Sequence, residues 1–344
     1  MFSYLAESQE ALSKIRQRLT LTAAQMKSLM RGVMSGVVQD EEIEEMLLIM
    51  RERGETAAEI AAGAQVMREH ALKLPKEFPD LLDTCGTGGD GLKTLNISTL
   101  SALTAAAAGV SVAKHGNRSV SSACGSADLL EMLGVKVDLP PAAVAACLEK
   151  TGFGFFFAPI FHPAVKAAMP ARKRIRGKTL FNILGPLSNP AGAHCQIVGV
   201  YEERLVEIVA GALKKLGCSR AMVVHGMEGL DEISLSGETK IAELNGGKIK
   251  TYTVVPEDFS LKQESLESIR CLTAQDAKNA ALQVLHGDNS APTKIVCLNA
   301  AAALYVAGKA NSIKEGMLLA MDALDGGRVD KKLKAVAAFS KKVS

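Results

Sequence analysis

The chain changes texture once, near residue 79, and that change limits its architecture more than any other feature. Before it, residues 1 to about 75 read as three or four short amphipathic helices with no strand among them. Thr22 and Gln25 have capping-box spacing ahead of MKSLMRGVMSG, and Thr56 with Glu59 repeats the box before AAEIAAGAQVMREHAL. Asp40 precedes a run in which Ile43, Met46, Leu47 and Met50 share one face and Gly54 supplies the stop. Such helices bury little alone, so they must pack on the rest of the chain or on a second subunit. The methionine stripe (Met26, Met30, Met34, Met46, Met50) suits either a dimer face or the chain's own core.

After residue 79, strand, glycine-rich loop and helix alternate, the pattern of a mainly parallel sheet with crossover helices. Strands are expected near 81–85, 110–113, 135–138, 153–157, 195–200 and 220–225, and helices over 99–108, 126–133, 141–150 and 203–216. TKIAEL and KIKTYTVV flank Asn245, Gly246 and Gly247 as a hairpin, and four helices are expected from Ala274 to the end. The expected fold class is α/β: a small N-terminal helical domain, 1–76, plus a large α/β domain, 77–344, with a mainly parallel central sheet. Part of 163–180 is a candidate to join the helical unit.

Composition excludes some functions. In 344 residues, 40 Lys and Arg against 37 Asp and Glu leave a net charge of +3, without the basic excess of a nucleic-acid or membrane-surface binder. No apolar stretch approaches the roughly 18 residues that span a bilayer, and the N-terminus is amphipathic, so a soluble, unexported, cytoplasmic protein is expected. Seven scattered cysteines without a CxxC pair read as reduced thiols, not as disulfides or a zinc site.

The densest chemical signal is DTCGTGGDGLKTLNIST, residues 83–99. Gly86 to Gly91 match the dinucleotide fingerprint G-x-G-x-x-G, but a polar loop intervenes before the helix and no acid lies about 20 positions on to hold a ribose. No Gly-Lys-Ser/Thr follows, so it is not a P-loop either. The acid-free window is more informative. With 37 acids in the whole chain, roughly four would be expected in the 36 residues from 92 to 127. There are none, while Lys93, Lys114, His115 and Arg118 are present. Asn96, Ser98 and Thr99 stand where one helix starts, and Ser121, Ser122 and Ser126 crowd the start of another. Free N–H groups, hydroxyls and helix dipoles there favour a bound polyanion carrying several phosphates. On the plainer reading the serines are only N-caps and the cations a solvated face. Asp231 and Glu232 follow a strand that ends at His225; facing a pyrophosphate, they would bind Mg²⁺, although such a pair alone is usually surface.

The run GTGGD, NIST, KHGNR, GSADLLE, FAPIFHPAVK, FNILGPLSNPA, HGMEGLDEIS and PEDF, in this order and over essentially the whole chain, resembles the anthranilate phosphoribosyltransferase family of tryptophan biosynthesis. The resemblance implies the two-domain fold, a homodimer joined through the helical domains, and Mg²⁺, with two ions per subunit. It implies transfer of a phosphoribosyl group from 5-phosphoribosyl 1-diphosphate to anthranilate, with no residue acting as acid or base. Carried over by position, Gly86 lies near both substrates, and Gly89, Asp90 and Thr94 hold the donor with Asn96, Ile97, Ser98 and Thr99. Lys114, His115, Gly116, Asn117, Arg118, Ser119, Val120, Ser121 and Ser122, and Ser126 beyond them, match the ribose and phosphate segment. Asn117, His162 and Arg172 match the anthranilate side, and Ser98, Asp231 and Glu232 match metal ligands.

The chain departs from the family pattern at Phe161 before His162, at Ala123 and Cys124, and at Arg176 to Lys178, where the glycine is shifted and Lys178 replaces an arginine. These departures bear on the acceptor side. A pyrimidine nucleoside phosphorylase of the same plan, or a non-catalytic nucleic-acid-binding relative, are the alternatives; the GTGGD spelling and the Asp231–Glu232 pair weigh against the first, and the small net charge and Arg172 against the second.

Overall fold

The computed structural model describes residues 2–119 and 123–343, with side chains from residue 5 onward, so Val120, Ser121 and Ser122 lie outside the described residues. Helices α1 (Phe2–Arg16), α2 (Ala23–Met34), α3 (Asp40–Arg53) and α4 (Ala57–His70) fill the N-terminal stretch. Both expected capping boxes form, while Gln39 takes the N-cap position of α3 and Asp40 opens the helix itself. The methionine stripe is the chain's own core: Met26, Met30, Met46 and Met50 are fully buried and Met34 nearly so.

The bundle also buries a charge. The Glu59 carboxylate accepts from the Leu21 N–H (2.9 Å), the Thr56 N–H (3.0 Å) and hydroxyl (2.8 Å), and the Arg53 guanidinium (2.7 Å). Burial pushes its carboxyl up, but these donors outweigh burial and hold it below the ordinary value. A lowered folded pKa gives stability that is present above the unfolded value and is lost as pH falls through the folded one. Replacing Glu59 with Ala strands Arg53, whose side chain is 9% exposed. The expected cost in urea unfolding at pH 7 is about 3 kcal/mol, with the gap to wild type narrowing below about pH 4. A neutral variant at pH 7 would show that the network contributes nothing.

The remainder begins with β1 (Leu82–Asp83), α5 (Ile97–Ala107), β2 (Val112–Gly116), α6 (Ser126–Met132), α7 (Pro141–Thr151) and β3 (Phe153–Phe157). It continues through α8 (Ala158–Phe161), a 3₁₀ turn (Pro163–Ala168), α9 (Met169–Arg174), α10 (Leu180–Leu187), β4 (Cys195–Gly199), α11 (Leu205–Lys215) and β5 (Arg220–Gly226). The hairpin β6 (Thr239–Asn245) and β7 (Lys248–Val254) precedes α12 (Ala274–His286), α13 (Ala291–Val306), α14 (Ile313–Asp325) and α15 (Arg328–Lys342). One sheet runs β3-β2-β1-β4-β5-β6-β7, parallel from β3 to β5 and antiparallel through the hairpin.

The expected strand at 135–138 does not form. Val135, Val137 and Leu139 alternate and are buried, which imitates a strand. However, β2 pairs directly with β3, and the Lys136 N–H donates to the Ser340 hydroxyl of α15 (2.9 Å). Alternation along the true strands divides the core: Met222 and Val224 of β5 face α5, α6 and α12–α15, whereas Ala221 and Val223 face α1–α4, α10 and α11. Residues Ala168, Ala171, Ile175 and Leu180 join that second core beside the bundle.

The chain steps outward from β1 to β2 and β3, then returns to the other side of β1 with β4 and β5. This reversal opens a crevice beyond the carboxyl ends of β1 and β4, where open α/β sheets bind ligands.

Candidate active site

The glycine loop leaves β1 at this crevice and is pinned on three sides. The Thr87 N–H donates to the Gly199 carbonyl of β4 (2.8 Å), the Gly88 N–H to Asp231 Oδ2 (2.8 Å), and the Tyr201 N–H to Thr87 Oγ1 (3.1 Å). Gly86 has no room for a side chain, since a β carbon would stand 3.1 Å from the Gly199 carbonyl oxygen and 3.2 Å from Asp231 Oδ2. Gly88, Gly89 and Gly91 take the left-handed backbone that glycine adopts without strain.

Around the loop lies a cleft of about 340 Å³. Every expected site residue among those described lines it except His162: Gly86, Gly89, Asp90 and Thr94 from the loop; Asn96, Ile97, Ser98 and Thr99 from the start of α5; Lys114 to Gly116 in β2 and Asn117 to Ser119 after it; Ser126; Arg172; and Asp231 and Glu232. His162 instead lies behind His115, with ring centroids 5.1 Å apart. Burial and Lys73 push its imidazole down to about 4, so it is neutral at physiological pH. His115 is held neutral more strongly, by burial and then by His162 and Lys114. Its Nδ1 therefore carries the hydrogen that meets the Gly185 carbonyl (3.1 Å), leaving Nε2 without a partner among the described residues. Neither histidine is a poised acid.

One wall is anionic. Asp231 and Glu232 border the cleft beside Asp90, yet are packed deeply enough that burial, followed by repulsion from Asp90, pushes Asp231 up to about 7. Burial and Asp231 push Glu232 well above the carboxylate range, with Lys114 and the Ser98 N–H pulling back. Asp231 and Glu232 beside the start of α5 would suit a divalent cation, which would reverse this repulsion, although among the described residues the oxygens of Asp90, Asp231 and Glu232 do not all come within 4.8 Å of one another. Donors meet these acids directly, the Gly88 N–H at Asp231 and the Ser98 N–H at Glu232. Lys114, 2% exposed, donates from Nζ to the Thr84 carbonyl (3.1 Å). At the start of α5, Asn96 Oδ1 and Thr99 Oγ1 are buried without partners among the described residues.

Arg172, on α9, also lines the cleft. Its guanidinium lies 4.9 Å from the Phe181 ring centroid of α10, burial lowers its pKa, and no carboxylate pairs with it among the described residues. Of the family departures, Phe161 is fully buried against Phe156, and the Cys124 thiol, pushed up to about 11 by burial and then Asp128, is also buried. Phe161 does not line the cleft; Cys124 does, with a thiol that burial keeps protonated.

Two features escaped the sequence reading. Asp83 is a frame beneath the loop: Oδ1 accepts from the Cys85 N–H (3.1 Å) and His115 N–H (3.2 Å), and Oδ2 from Asn189 Nδ2 (2.8 Å). The Asp in DTCGTGG and the Asn in LSNPA were its only signals. Asp83, Cys85 and His115 also place possible metal-binding atoms within 4.8 Å of one another. With the Asp83 oxygens already accepting, Lys114 nearby and the Cys85 thiol pushed up to about 12 by burial, they form a hydrogen-bonded frame and not a metal centre. The second feature is Asp128, the acid that ends the acid-free window. It accepts from the Ser119 and Gly125 N–H groups, and with Glu131 it engages Arg118 (3.0 Å and 2.5 Å). Arg118 is thus tied to α6, and the Ser126 hydroxyl bonds the Asn117 backbone (3.1 Å).

Fold and cleft together define a glycosyl-transfer enzyme in which a helical bundle braces an α/β domain. Residues 9–71 match the family described as "Glycosyl transferase family, helical bundle domain", and residues 78–329 the family described as "Glycosyl transferase family, a/b domain". The anthranilate phosphoribosyltransferase of Persephonella marina is 47% identical over 96% of this chain and 98% of its own. The crystal structure of that enzyme from Thermus thermophilus superposes with a TM-score of 0.91 at 42% identity, over 96% of this chain and 99% of that one. The Saccharomyces cerevisiae enzyme, solved in complex with PRPP and Mg, shares the fold with a TM-score of 0.88 at 24% identity, over 99% of each chain. This chain belongs to the anthranilate phosphoribosyltransferase family.

Proposed function

We propose that the cleft transfers the phosphoribosyl group of 5-phosphoribosyl 1-diphosphate to the amine of anthranilate, giving N-(5-phosphoribosyl)anthranilate and pyrophosphate, the second step of tryptophan biosynthesis from chorismate. The observation that carries this reading is the lining of one cleft, which gathers Asp90, Asp231 and Glu232 with the donor-rich glycine loop, the start of α5 and Lys114. Breaking the bond from ribose C1 to pyrophosphate leaves positive charge on the sugar and negative charge on the leaving group. Fixed N–H dipoles and Lys114 favour the latter without reorganising. Asp231 and Glu232, with Asp90 and the Ser98 hydroxyl, would hold Mg²⁺, two ions on this reading, which supplies further positive charge to pyrophosphate. Arg172 orients anthranilate through its carboxylate, and Asn117 borders the same space. The aromatic amine already has its lone pair, so placing it behind C1 supplies the attack, and the proton it sheds as the C–N bond forms passes to the departing pyrophosphate or to water; His115 and His162, lowered in pKa by burial, are weak bases.

The same reading divides the chain into a helical unit, 1–76 joined by part of 163–180, and an α/β unit, 77–344. It makes the protein a cytoplasmic homodimer. Among the described residues no helix is long and apolar enough to cross a membrane. Because the methionine stripe is internal, the dimer seam falls on the bundle's outer surface, where Leu5 and Leu19 are exposed. The test is loss of anthranilate fluorescence on adding 5-phosphoribosyl 1-diphosphate with Mg²⁺, abolished by a chelator. No consumption by folded protein that still binds the donor would assign the cleft to another acceptor.

A further inference from the structure

Lys178 does not line the cleft, yet its stem lies beside Gly89, which does. It sits in the strap 175–179 between α9 and α10, whose flanking helices carry Arg172 and Phe181. On the bundle side, Arg51 Nη1 donates to the Arg176 carbonyl (3.1 Å), fixing the strap to α3. On the other side, Lys178 Cε stands 3.4 Å from where a β carbon at Gly89 would be, and its Nζ lies 4.1 Å from the Tyr201 ring centroid. Tyr201 in turn donates its N–H to Thr87 Oγ1, two residues before Gly89.

The hydrogen bonds that pin the loop reach it at Thr87 and Gly88, and Lys178 meets it one residue further on. At the left-handed Gly88 and Gly91 a β carbon would meet nothing within 4 Å, while at Gly89 its three nearest atoms all belong to Lys178. No carboxylate pairs with Lys178 among the described residues, and this half-buried lysine rests its ammonium over the Tyr201 ring.

We infer that Lys178 is a positioning residue for the diphosphate donor: lodged between Gly89 and the Tyr201 ring, it braces the tip of the glycine loop against the strap that joins Arg172 to Phe181. The stem limits where the loop can lie, and the ammonium adds positive potential behind amides that receive a polyanion. The strap thereby connects the donor and acceptor halves of the cleft. This inference rests on the transferase reading for the identity of the donor.

The test measures calorimetric binding of 5-phosphoribosyl 1-diphosphate with Mg²⁺, without acceptor, alongside steady-state kinetics and melting temperature on the full chain. Lys178→Met keeps the stem and removes the charge; it is expected to weaken donor binding about tenfold while the anthranilate KM stays within about twofold. Lys178→Arg, which keeps the cation over the ring, is expected to bind the donor nearly as wild type does. Tyr201→Leu, which removes the ring, is expected to repeat the donor-selective loss and serves if Lys178→Met does not fold. Unchanged donor binding in Lys178→Met, or equal losses for both substrates with a lowered melting temperature, overturns the inference. Wild-type protein that binds the donor but leaves anthranilate unconsumed overturns the transferase reading instead, and donor binding then still decides the role of Lys178.

Discussion

Replacing Asp231 with Asn and Glu232 with Gln together lowers kcat by on the order of 10³-fold at millimolar Mg²⁺, while the protein stays folded. The expectation follows from the crowding of the acidic wall. Burial and mutual repulsion already oppose ionisation of both residues, so their charges are a liability to the fold unless a cation answers them. Neutral amides of the same shape relieve that cost, and in a chelator the double variant should melt at or above the wild-type temperature. Adding Mg²⁺ with pyrophosphate should raise the melting temperature of the wild type and leave the variant unmoved. Normal turnover in the variant, or an unchanged response to Mg²⁺ and pyrophosphate, would remove these carboxylates from the metal role.

Arg172→Ala raises the anthranilate KM by about 100-fold and moves the donor KM by no more than about threefold. A guanidinium that is packed over the Phe181 ring, lowered in pKa by burial and bonded only to the Met169 sulfur among the described residues lacks the anion that its desolvation calls for. A planar carboxylate supplies that anion with two parallel hydrogen bonds. Lysine cannot reproduce the fork, so Arg172→Lys should recover little of the loss. Equal rises in both KM values would mean that the acceptor lies elsewhere in the cleft.

The sequence discloses this site through features that are local in the chain. The glycines and the Asp231–Glu232 pair are each readable within a few residues, and the absence of acids from 92 to 127 along one continuous stretch. Strand β3 falls where phenylalanines cluster between a helix stop and a Pro, and the hairpin follows from Asn245 to Gly247. What escaped the reading is long-range or ambiguous in period. Asp83 and Asn189 are 106 positions apart, and only the sheet brings them together. The alternation of Val135, Val137 and Leu139 is that of a strand, but pairing depends on a free neighbour, and β2 has none on that side. Helices α8 to α10 went unassigned because prolines interrupt any clear apolar period between 158 and 187. His162 lies close to the cleft residues in space, yet it faces the interior behind His115.

The three hydrogen bonds that pin the glycine loop to Gly199, Asp231 and Tyr201 have a consequence for binding entropy. A glycine-rich segment is among the most expensive to order, because each residue forgoes conformations that other residues never had. Here much of that ordering is done when the chain folds, through contacts with β4 and the residues after β5. A ligand that settles on the loop need not freeze all of it again. More of its contact energy then remains for affinity, and for favouring the charge that appears when pyrophosphate departs.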